Sequence, residues 1–472
     1  MVFSSTVFVF IFIPLVYVLY ILVRNNTARN VLLIIASLFF YAYGEPIAVL
    51  LMLCSIAINY VFGLFMGNKR LKKPMLIISV IINIGLLVFF KYLGFLVETF
   101  NNITRLSLPV PNIMLPIGIS FFTFQILSYV IDAYRDESLV ERNILNICLY
   151  ISFFPQLIAG PIVKFSDVSR QIRSRTHTVE KTVSGIKRFI YGLSKKLIIS
   201  NTMAVIADNV FALDESSMTL PAAWIGAACY TMQIFFDFSG YSDMAIGLGR
   251  MFGFEFKENF NYPFSAAGMT DFWRKWNISV SSWFKEYVYI PLGGNRKGKF
   301  RTCINKCIVF FLTGLWHGAN MTFIVWGLMH GLFLLLEYYG IIPANRAKGV
   351  ISKIFLHIYT LIVVLISFVI FRADTISQGM MIISKMFFGS SELNPLVSAD
   401  VFGAVTPYVL LVFLIGAVIS TPIAGKISLR ASSKGLSTAV YAVSCLGTLA
   451  LLILCVFNLA VAEYNPFIYF RF

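Results

Sequence analysis

Long apolar segments recur along the whole chain, separated by short loops that hold most of the lysine and arginine residues. Residues 2–23 and 354–371 contain no lysine, arginine, aspartate or glutamate. Each is close to the ~20 residues that a helix needs to cross a bilayer. Of the 472 residues, 58% are hydrophobic and 13% are charged, about half the charged share of a soluble protein. We therefore predict an all-α polytopic integral membrane protein with about 11–13 transmembrane or re-entrant helices.

The basic loops predict the orientation of these helices. Because Arg24 and Arg29 follow the first apolar segment, the positive-inside rule places the N-terminus outside. When the same rule is applied to each later basic loop, the C-terminal tail, 463–472, is also predicted to lie outside. The net charge of +16 is spread over the loops, so it indicates topology rather than nucleic-acid binding. We treat 1–472 as a single transmembrane domain and 2–23 as an uncleaved span, since a secretory signal has a shorter apolar core.

Residues 144–160 form an apolar segment that is too short for an ordinary span. The segment contains Pro155, ends at Gly160-Pro161 and has basic flanks on both sides. Because both flanking segments are basic, both are expected on the cytoplasmic side, so the apolar segment between them is predicted to be re-entrant. Irregular backbone at membrane depth persists only where it is buried in protein or lines a cavity. The segment therefore indicates a chain folded around a central funnel.

Two polar side chains in apolar surroundings are candidate catalytic groups. His317 lies in the apolar run 310–319, and helix geometry places it roughly 14 Å into the membrane. Asn277 follows a tryptophan-rich stretch that we expect to be one amphipathic helix, with Trp273, Asn277, Val280 and Phe284 on one face. His317 can act as a general acid and base. Alternatively, both side chains are structural and bind a neighbouring helix.

Residues 233–243 place two carboxylates, an amide and hydroxyl groups within an apparent span. Such groups face the interior or a cavity, where they act as structural contacts or line a passage. The carboxylates of Asp237 and Asp243 are also compatible with proton-coupled transport, so a transporter function stays open.

The seven cysteines show no ligand spacing, so we expect no metal site. The residues that we expect to line the funnel are Trp316, His330, Trp273, Trp276, Asp237, Gln233 and Tyr241.

Several separate motifs, in order, resemble those of the membrane-bound O-acyltransferase family, and most closely its bacterial alginate O-acetyltransferase branch. They are residues 153–161, 236–243, 272–276, 289–295 and 314–319. The resemblance implies acyl transfer, in a bacterial plasma membrane, from a cytoplasmic thioester to a hydroxyl outside. Acetyl-CoA is the implied donor, as a substrate and not as a tightly bound cofactor.

The resemblance also implies roles for individual residues. His317 matches the catalytic histidine of the family. Position 277 departs from the bacterial branch, which usually has histidine there, so Asn277 is expected to orient or polarise and not to exchange a proton. Lys297, Lys299 and Arg301 can meet the phosphates of the donor, although topology explains these cations equally well.

The last ten residues form an aromatic tail that contains Tyr469. The tail resembles C-terminal motifs in which a tyrosine carries the acyl group, and an aromatic interface anchor is the alternative. The resemblance further implies an extracytoplasmic SGNH-hydrolase-like partner and a surface polysaccharide acceptor.

Two other functions stay open: D-alanyl transfer to teichoic acid from a carrier protein, and a lipid or glycan transporter. A transferase should lose activity with His317→Ala, whereas a transporter should be more sensitive at its carboxylates.

Overall fold

The computed structural model describes residues 1–344, 349–391, 401, 403–423, 425–427 and 437–461. The tail 463–472, with Tyr469, lies outside the described residues. Within them the regular structure is helical throughout. The helices are α1 Ile13–Leu22, α2 Asn26–Ala42, α3 Ala48–Phe65, α4 Lys72–Leu87, α5 Leu93–Thr104, α6 Ile119–Arg135, α7 Ile144–Ser152, α8 Phe154–Leu157, α9 Phe165–Arg173, α10 Val179–Ser194, α11 Asn201–Phe211, α12 Leu220–Met251, α13 Met269–Lys275, α14 Ile278–Phe284, α15 Gly298–His317, α16 Met321–Tyr338, α17 Val350–Arg372, α18 Ile376–Phe388, α19 Pro407–Ile419 and α20 Ser437–Val461.

Short π-helical and 3-10 turns occur between or next to these helices. The π-helical turns are Phe8–Phe12, Val88–Tyr92, Lys195–Ser200 and Lys285–Tyr289, and the 3-10 turns are Glu137–Leu139 and Pro263–Ser265. Val88–Tyr92 connects α4 to α5, so that Lys72–Thr104 is one apolar helical segment of 33 residues.

Five helical segments in the described part of the chain are long and apolar enough to cross a membrane. They are Ala48–Phe65, Lys72–Thr104, Met321–Tyr338, Val350–Arg372 and Thr438–Val461. Three shorter apolar segments accompany them: Phe8–Leu22, Asn26–Ala42 and Pro407–Ile419. The prediction of an all-α polytopic membrane protein is confirmed.

The chain forms two compact units. The first unit comprises Met1–Phe189 and Tyr241–Glu258, and the second comprises Ile190–Gly240 and the described residues from Asn259 onward. The boundaries fall within α10 and α12, which therefore contribute residues to both units.

In the first unit, the segment 144–160 is a short helix followed by irregular backbone. α7 has nine residues and so is about 14 Å long, well short of a bilayer core. After α8 the chain continues without regular structure, and the side chains of 153–163 are buried. This is the irregular, protein-covered backbone that the sequence predicts at this point.

In the second unit, α15 and α16 form a hairpin whose close contact depends on glycine. A Cβ atom at Gly327 would overlap the carbonyl oxygen of Phe310 and lie 3.1 Å from the Cα of Gly314. A Cβ at Gly314 would in turn overlap the carbonyl oxygen of Phe323. Small residues let two helix backbones approach closely inside a membrane. These glycines therefore set the distance between the helix that ends at His317 and the helix that begins beside it.

We predict that Gly327→Ala lowers the stability of the hairpin by about 1–3 kcal/mol, because the added methyl forces two backbones apart. Gly447→Ala is the matched control, since nothing lies within 4 Å of a Cβ at that helical position. The measurement is the thermal unfolding midpoint of the detergent-solubilised protein. Equal midpoints for the two variants would contradict this account of the hairpin.

Candidate active site

His317 is the last residue of α15, and its ring is surrounded by aromatic rings. The ring centroids of Trp316, Trp326 and Phe371 lie 4.8, 5.0 and 5.0 Å from that of the imidazole, each edge to face. His317 retains 8% of its surface exposed. The imidazole is thus enclosed by aromatic rings, and its Nδ1 atom is buried.

A second histidine, His330, lies in the same group of rings but has both nitrogens occupied. The indole N–H of Trp273 donates to Nδ1 of His330 at 3.2 Å, so that nitrogen is an acceptor. Nε2 therefore carries the hydrogen, and it donates to Oγ of Ser367 at 3.1 Å. The Ser367 hydroxyl donates onward to the Val364 carbonyl at 2.8 Å. His330 is held as one neutral tautomer, which suits a structural role better than proton transfer.

These contacts define a compact group, here called the His317 cluster, made of His317, Trp326, His330, Trp273 and Phe371. Trp326 touches the other four rings, at centroid distances of 4.8 to 5.8 Å. Trp326 and His330 stand four residues apart and so share one face of α16. Four helices, α13, α15, α16 and α17, each contribute at least one ring to the cluster.

Asn277 lies at a break between two short helices. Its backbone has φ 43° and ψ 56°, the left-handed conformation that asparagine tolerates better than most residues. α13 ends at Lys275 and α14 begins at Ile278. The prediction of one continuous amphipathic helix through 273–284 is therefore wrong. The cause is local, because a left-handed residue cannot continue a right-handed helix.

The buried amide of Asn259 fixes this break. Its backbone carbonyl accepts from the N–H of Ile278 at 2.9 Å, and its side-chain oxygen accepts from the N–H of Ser279 at 3.0 Å. The first turn of α14 is thereby capped by a residue from a distant part of the sequence. The side-chain oxygen of Asn277 is buried, and the described residues provide no hydrogen-bond donor for it. Asn277 is therefore held in place by its backbone and not by its side chain.

Ring contacts connect Asn277 to His317. Trp276, the preceding residue, lies 5.3 Å from Phe368. Phe368 lies 6.2 Å from Phe371, which contacts His317. The structure thus brings Trp273, Trp276, Asn277, Trp316, His317 and His330 into one region of the second unit.

Glu337 is a residue of this region that the sequence reasoning missed. It is buried, and its carboxylate accepts hydrogen bonds at the start of α13, from the backbone N–H groups of Met269 and Thr270 and from the Thr270 hydroxyl at 2.6 Å. A carboxylate at a helix N-terminus satisfies donors that have no intrahelical partner. Glu337 could have been identified from the sequence, because it is a glutamate at the end of an apolar span. Glu337 anchors the helix that carries Trp273.

The remaining candidates lie elsewhere. In the second unit Asp237 pairs with Lys196 at 2.7 Å, and the backbone carbonyl of Gln233 accepts from the Ser200 hydroxyl. In the first unit the ring of Tyr241 stacks on that of Phe3 at 4.5 Å.

Asp243, also in the first unit, pairs with Arg188 at 2.6 Å. The two carboxylates that allow a transporter are thus both in ion pairs. Removing one partner of a buried ion pair destabilises a protein strongly. A loss of function at Asp237 would therefore not by itself indicate proton transport.

The fold and the His317 cluster define a polytopic membrane protein with a buried imidazole at a helix end, which is an arrangement suited to acyl transfer. The chain belongs to the membrane-bound O-acyltransferase family, whose model matches residues 122–342. It is an O-acyltransferase of the membrane.

Three relatives show the range of activities among similar proteins. A probable alginate O-acetylase from Pseudomonas aeruginosa is 42% identical over 424 residues, covering 88% of this chain and 80% of the relative. A peptidoglycan O-acetyltransferase from Helicobacter pylori is 34% identical over 419 residues, covering 81% and 79%. A teichoic acid D-alanyltransferase from Bacillus subtilis is 29% identical over 266 residues, covering 52% and 66%.

Proposed function

We propose that this protein transfers an acetyl group from a cytoplasmic thioester, acetyl-CoA, to a hydroxyl of a cell-surface polysaccharide. The observation that carries the proposal is His317, a buried imidazole enclosed by aromatic rings at the end of α15. The nature of the acyl group is supported by the relatives, since those matched over most of their length are named as acetyl-transferring proteins.

In the proposed reaction His317 serves first as base and then as acid. The imidazole takes the proton of the acceptor hydroxyl while the oxygen attacks the thioester carbon. A carbon–oxygen bond forms, the carbon–sulfur bond breaks, and the leaving thiolate receives the proton from the imidazolium. The product is an ester and a free thiol. Asn277, whose backbone is fixed by the break between α13 and α14, orients the acyl group or the acceptor.

The donor is proposed to approach the opposite end of the helix that carries His317. Lys297, Lys299 and Arg301 are exposed around the first turn of α15. A helix N-terminus and nearby cations together favour phosphate groups. α15 has 20 residues and is about 30 Å long, comparable to a bilayer core. With the basic end in the cytoplasm, His317 then lies roughly 14 Å into the membrane, and both chain termini lie outside. A central funnel would join the two ends.

Two parts of the proposal concern the outer side. Tyr469 is proposed to be the first acceptor: with His317 as base, its phenol oxygen attacks the thioester and the thiol leaves. The phenyl ester then passes the acyl group to the final hydroxyl, and the phenol is restored. An extracytoplasmic SGNH-hydrolase-like partner is proposed to place the acetyl group on the sugar. The support is the tail motif at 465–472 and its resemblance to tails of related systems.

D-alanyl transfer to teichoic acid from a carrier protein is the second candidate. It is favoured by the similarity to the Bacillus subtilis D-alanyltransferase. That similarity covers about half of this chain at lower identity than the matches to the acetyl-transferring relatives. We therefore place acetyl transfer first.

We predict that His317→Ala abolishes the alkali-labile acetate on cell-surface polymers, because the base is lost. The measurement is acetate release from cells that express wild type or variant at matched membrane levels. His177→Ala is the control. Burial, together with Arg29, Arg175 and Lys181, lowers the pKa of His177, so that substitution removes no charge at neutral pH.

The control variant and the identity of the released acyl group separate the possible outcomes. Unchanged acetate with His317→Ala would rule out acetyl transfer through this histidine. Loss of alkali-labile D-alanine in place of acetate would support the second candidate. An equal loss with His177→Ala would indicate a general folding defect.

Tyr469→Phe tests the tail separately. If the phenol carries the acyl group, the variant loses surface acetate, because phenylalanine lacks the attacking oxygen. Tyr464→Phe, a second tail tyrosine, is the matched control. Intact-protein mass spectrometry with acetyl-CoA and no acceptor should show one added acetyl group in wild type and none in Tyr469→Phe. Normal surface acetate in Tyr469→Phe would exclude the carrier role and favour an interface anchor.

A further inference from the structure

The indole N–H of Trp326 is a buried donor with no acceptor among the described residues. Trp326 is 1% exposed and lies at the centre of the His317 cluster. Two other indole N–H groups in the second unit have acceptors. Trp273 donates to His330 at 3.2 Å, and Trp224 donates to the Met386 carbonyl at 2.7 Å. A buried tryptophan N–H usually has a partner, so an exception calls for an explanation.

The surroundings of Trp326 account for the missing partner. Its neighbours are the rings of Trp273, His317, His330 and Phe371. Both nitrogens of His330 already have partners, in Trp273 and Ser367. A donor kept without an acceptor inside a protein costs free energy. That cost is offset if the acceptor arrives with the substrate.

We infer that Trp326 is a further catalytic residue, whose N–H donates to the carbonyl oxygen of the acyl group during transfer. The inference rests on the proposed function. When the acceptor hydroxyl attacks the thioester, its proton passes to His317 and the carbonyl oxygen takes up the negative charge. The indole N–H stabilises that oxygen until the carbon–sulfur bond breaks, the carbonyl re-forms and the thiolate takes the proton back. A preorganised donor in a water-poor site is the usual device for such an oxyanion.

The position of Trp326 fits this role. Its ring lies 5.0 Å from that of His317 and perpendicular to it, so the reacting carbon of a bound thioester can lie within reach of both residues. The rings of His330 and Trp273 pack against the indole at centroid distances of 4.8 and 5.8 Å, and the hydrogen bond between those two residues fixes them in place. The donor is therefore fixed before the substrate arrives, which is the condition for a strong effect on the transition state.

The test compares Trp326→Phe with Trp224→Phe in the purified full-length protein, with acetyl-CoA as donor. For Trp326→Phe we expect kcat to fall about 100- to 1,000-fold, the effect of losing one oxyanion donor. KM for acetyl-CoA should change little, because the bond strengthens only in the transition state. Trp224→Phe should retain the wild-type kcat. A kcat of Trp326→Phe equal to that of wild type would overturn the inference.

A second variant separates the N–H from the shape of the ring. Benzothienylalanine at position 326, introduced by nonsense suppression, keeps a bicyclic side chain and lacks the N–H. The inference predicts the same loss of kcat as in Trp326→Phe, with an unchanged unfolding midpoint. Recovery of full kcat with this side chain would show that Trp326 acts by packing alone, and would overturn the inference.

Parallel assays keep this test distinct from the test of the acetyl donor. An oxyanion forms with any acyl thioester, so each variant is also assayed with a D-alanyl thioester of a carrier protein. Activity of the wild type with the D-alanyl donor alone would overturn the proposed acetyl donor. The effect of Trp326→Phe on kcat with the active donor would still decide the role of the indole.

Discussion

The close approach of α15 and α16 at Gly314 and Gly327 places a histidine among aromatic rings near the end of a helix. At this crossing, backbone atoms of one helix occupy the space that a Cβ of the other would need. His317 follows three residues after Gly314, and Trp326 directly precedes Gly327. The spacing of the two helices therefore decides whether the imidazole and the indole meet.

Hydrogen bonds within the membrane-embedded region keep the surrounding helices in register. The series Trp273, His330, Ser367 joins α13, α16 and α17 through side chains that have no other role in the proposed chemistry. Glu337 fixes the start of α13 in the same way. Hydrogen bonds between helices stabilise a membrane protein, because the alternative is an unpaired polar group in hydrocarbon. With His330 held as a neutral tautomer, the proposed proton transfer involves His317 alone of these two histidines.

The architecture and the region of the site could be predicted from the sequence. Apolar segment length predicted a helical membrane protein, and the described regular structure is helical throughout. His317 was identifiable as an ionisable group within an apolar run. The prediction of the architecture succeeds because it depends on local hydrophobicity, which the bilayer constrains strongly, whereas the catalytic role of His317 stays a prediction.

Features that depend on distant residues could not be predicted. The break at Asn277 requires the cap from Asn259, 18 positions earlier, and periodicity alone suggested a continuous helix. The ion pair of Lys196 with Asp237 inside the second unit joins residues 41 positions apart. The unsatisfied N–H of Trp326 becomes visible only once every neighbour of the indole is known. These hydrogen-bond and ion-pair partners depend on tertiary packing, and a local sequence pattern does not predict them.

The central claim is that acyl transfer occurs at His317 and joins a donor on one side of the membrane to an acceptor on the other. The most direct measurement uses proteoliposomes with uniformly oriented protein, acetyl-CoA on the face of the α15 N-terminus and a polysaccharide acceptor on the opposite face. The account predicts release of free CoA in equal amount to ester formed across the membrane, with neither product from the His317→Ala protein. Ester formation that persists in His317→Ala, or appearance of intact acetyl-CoA on the acceptor side, would contradict it.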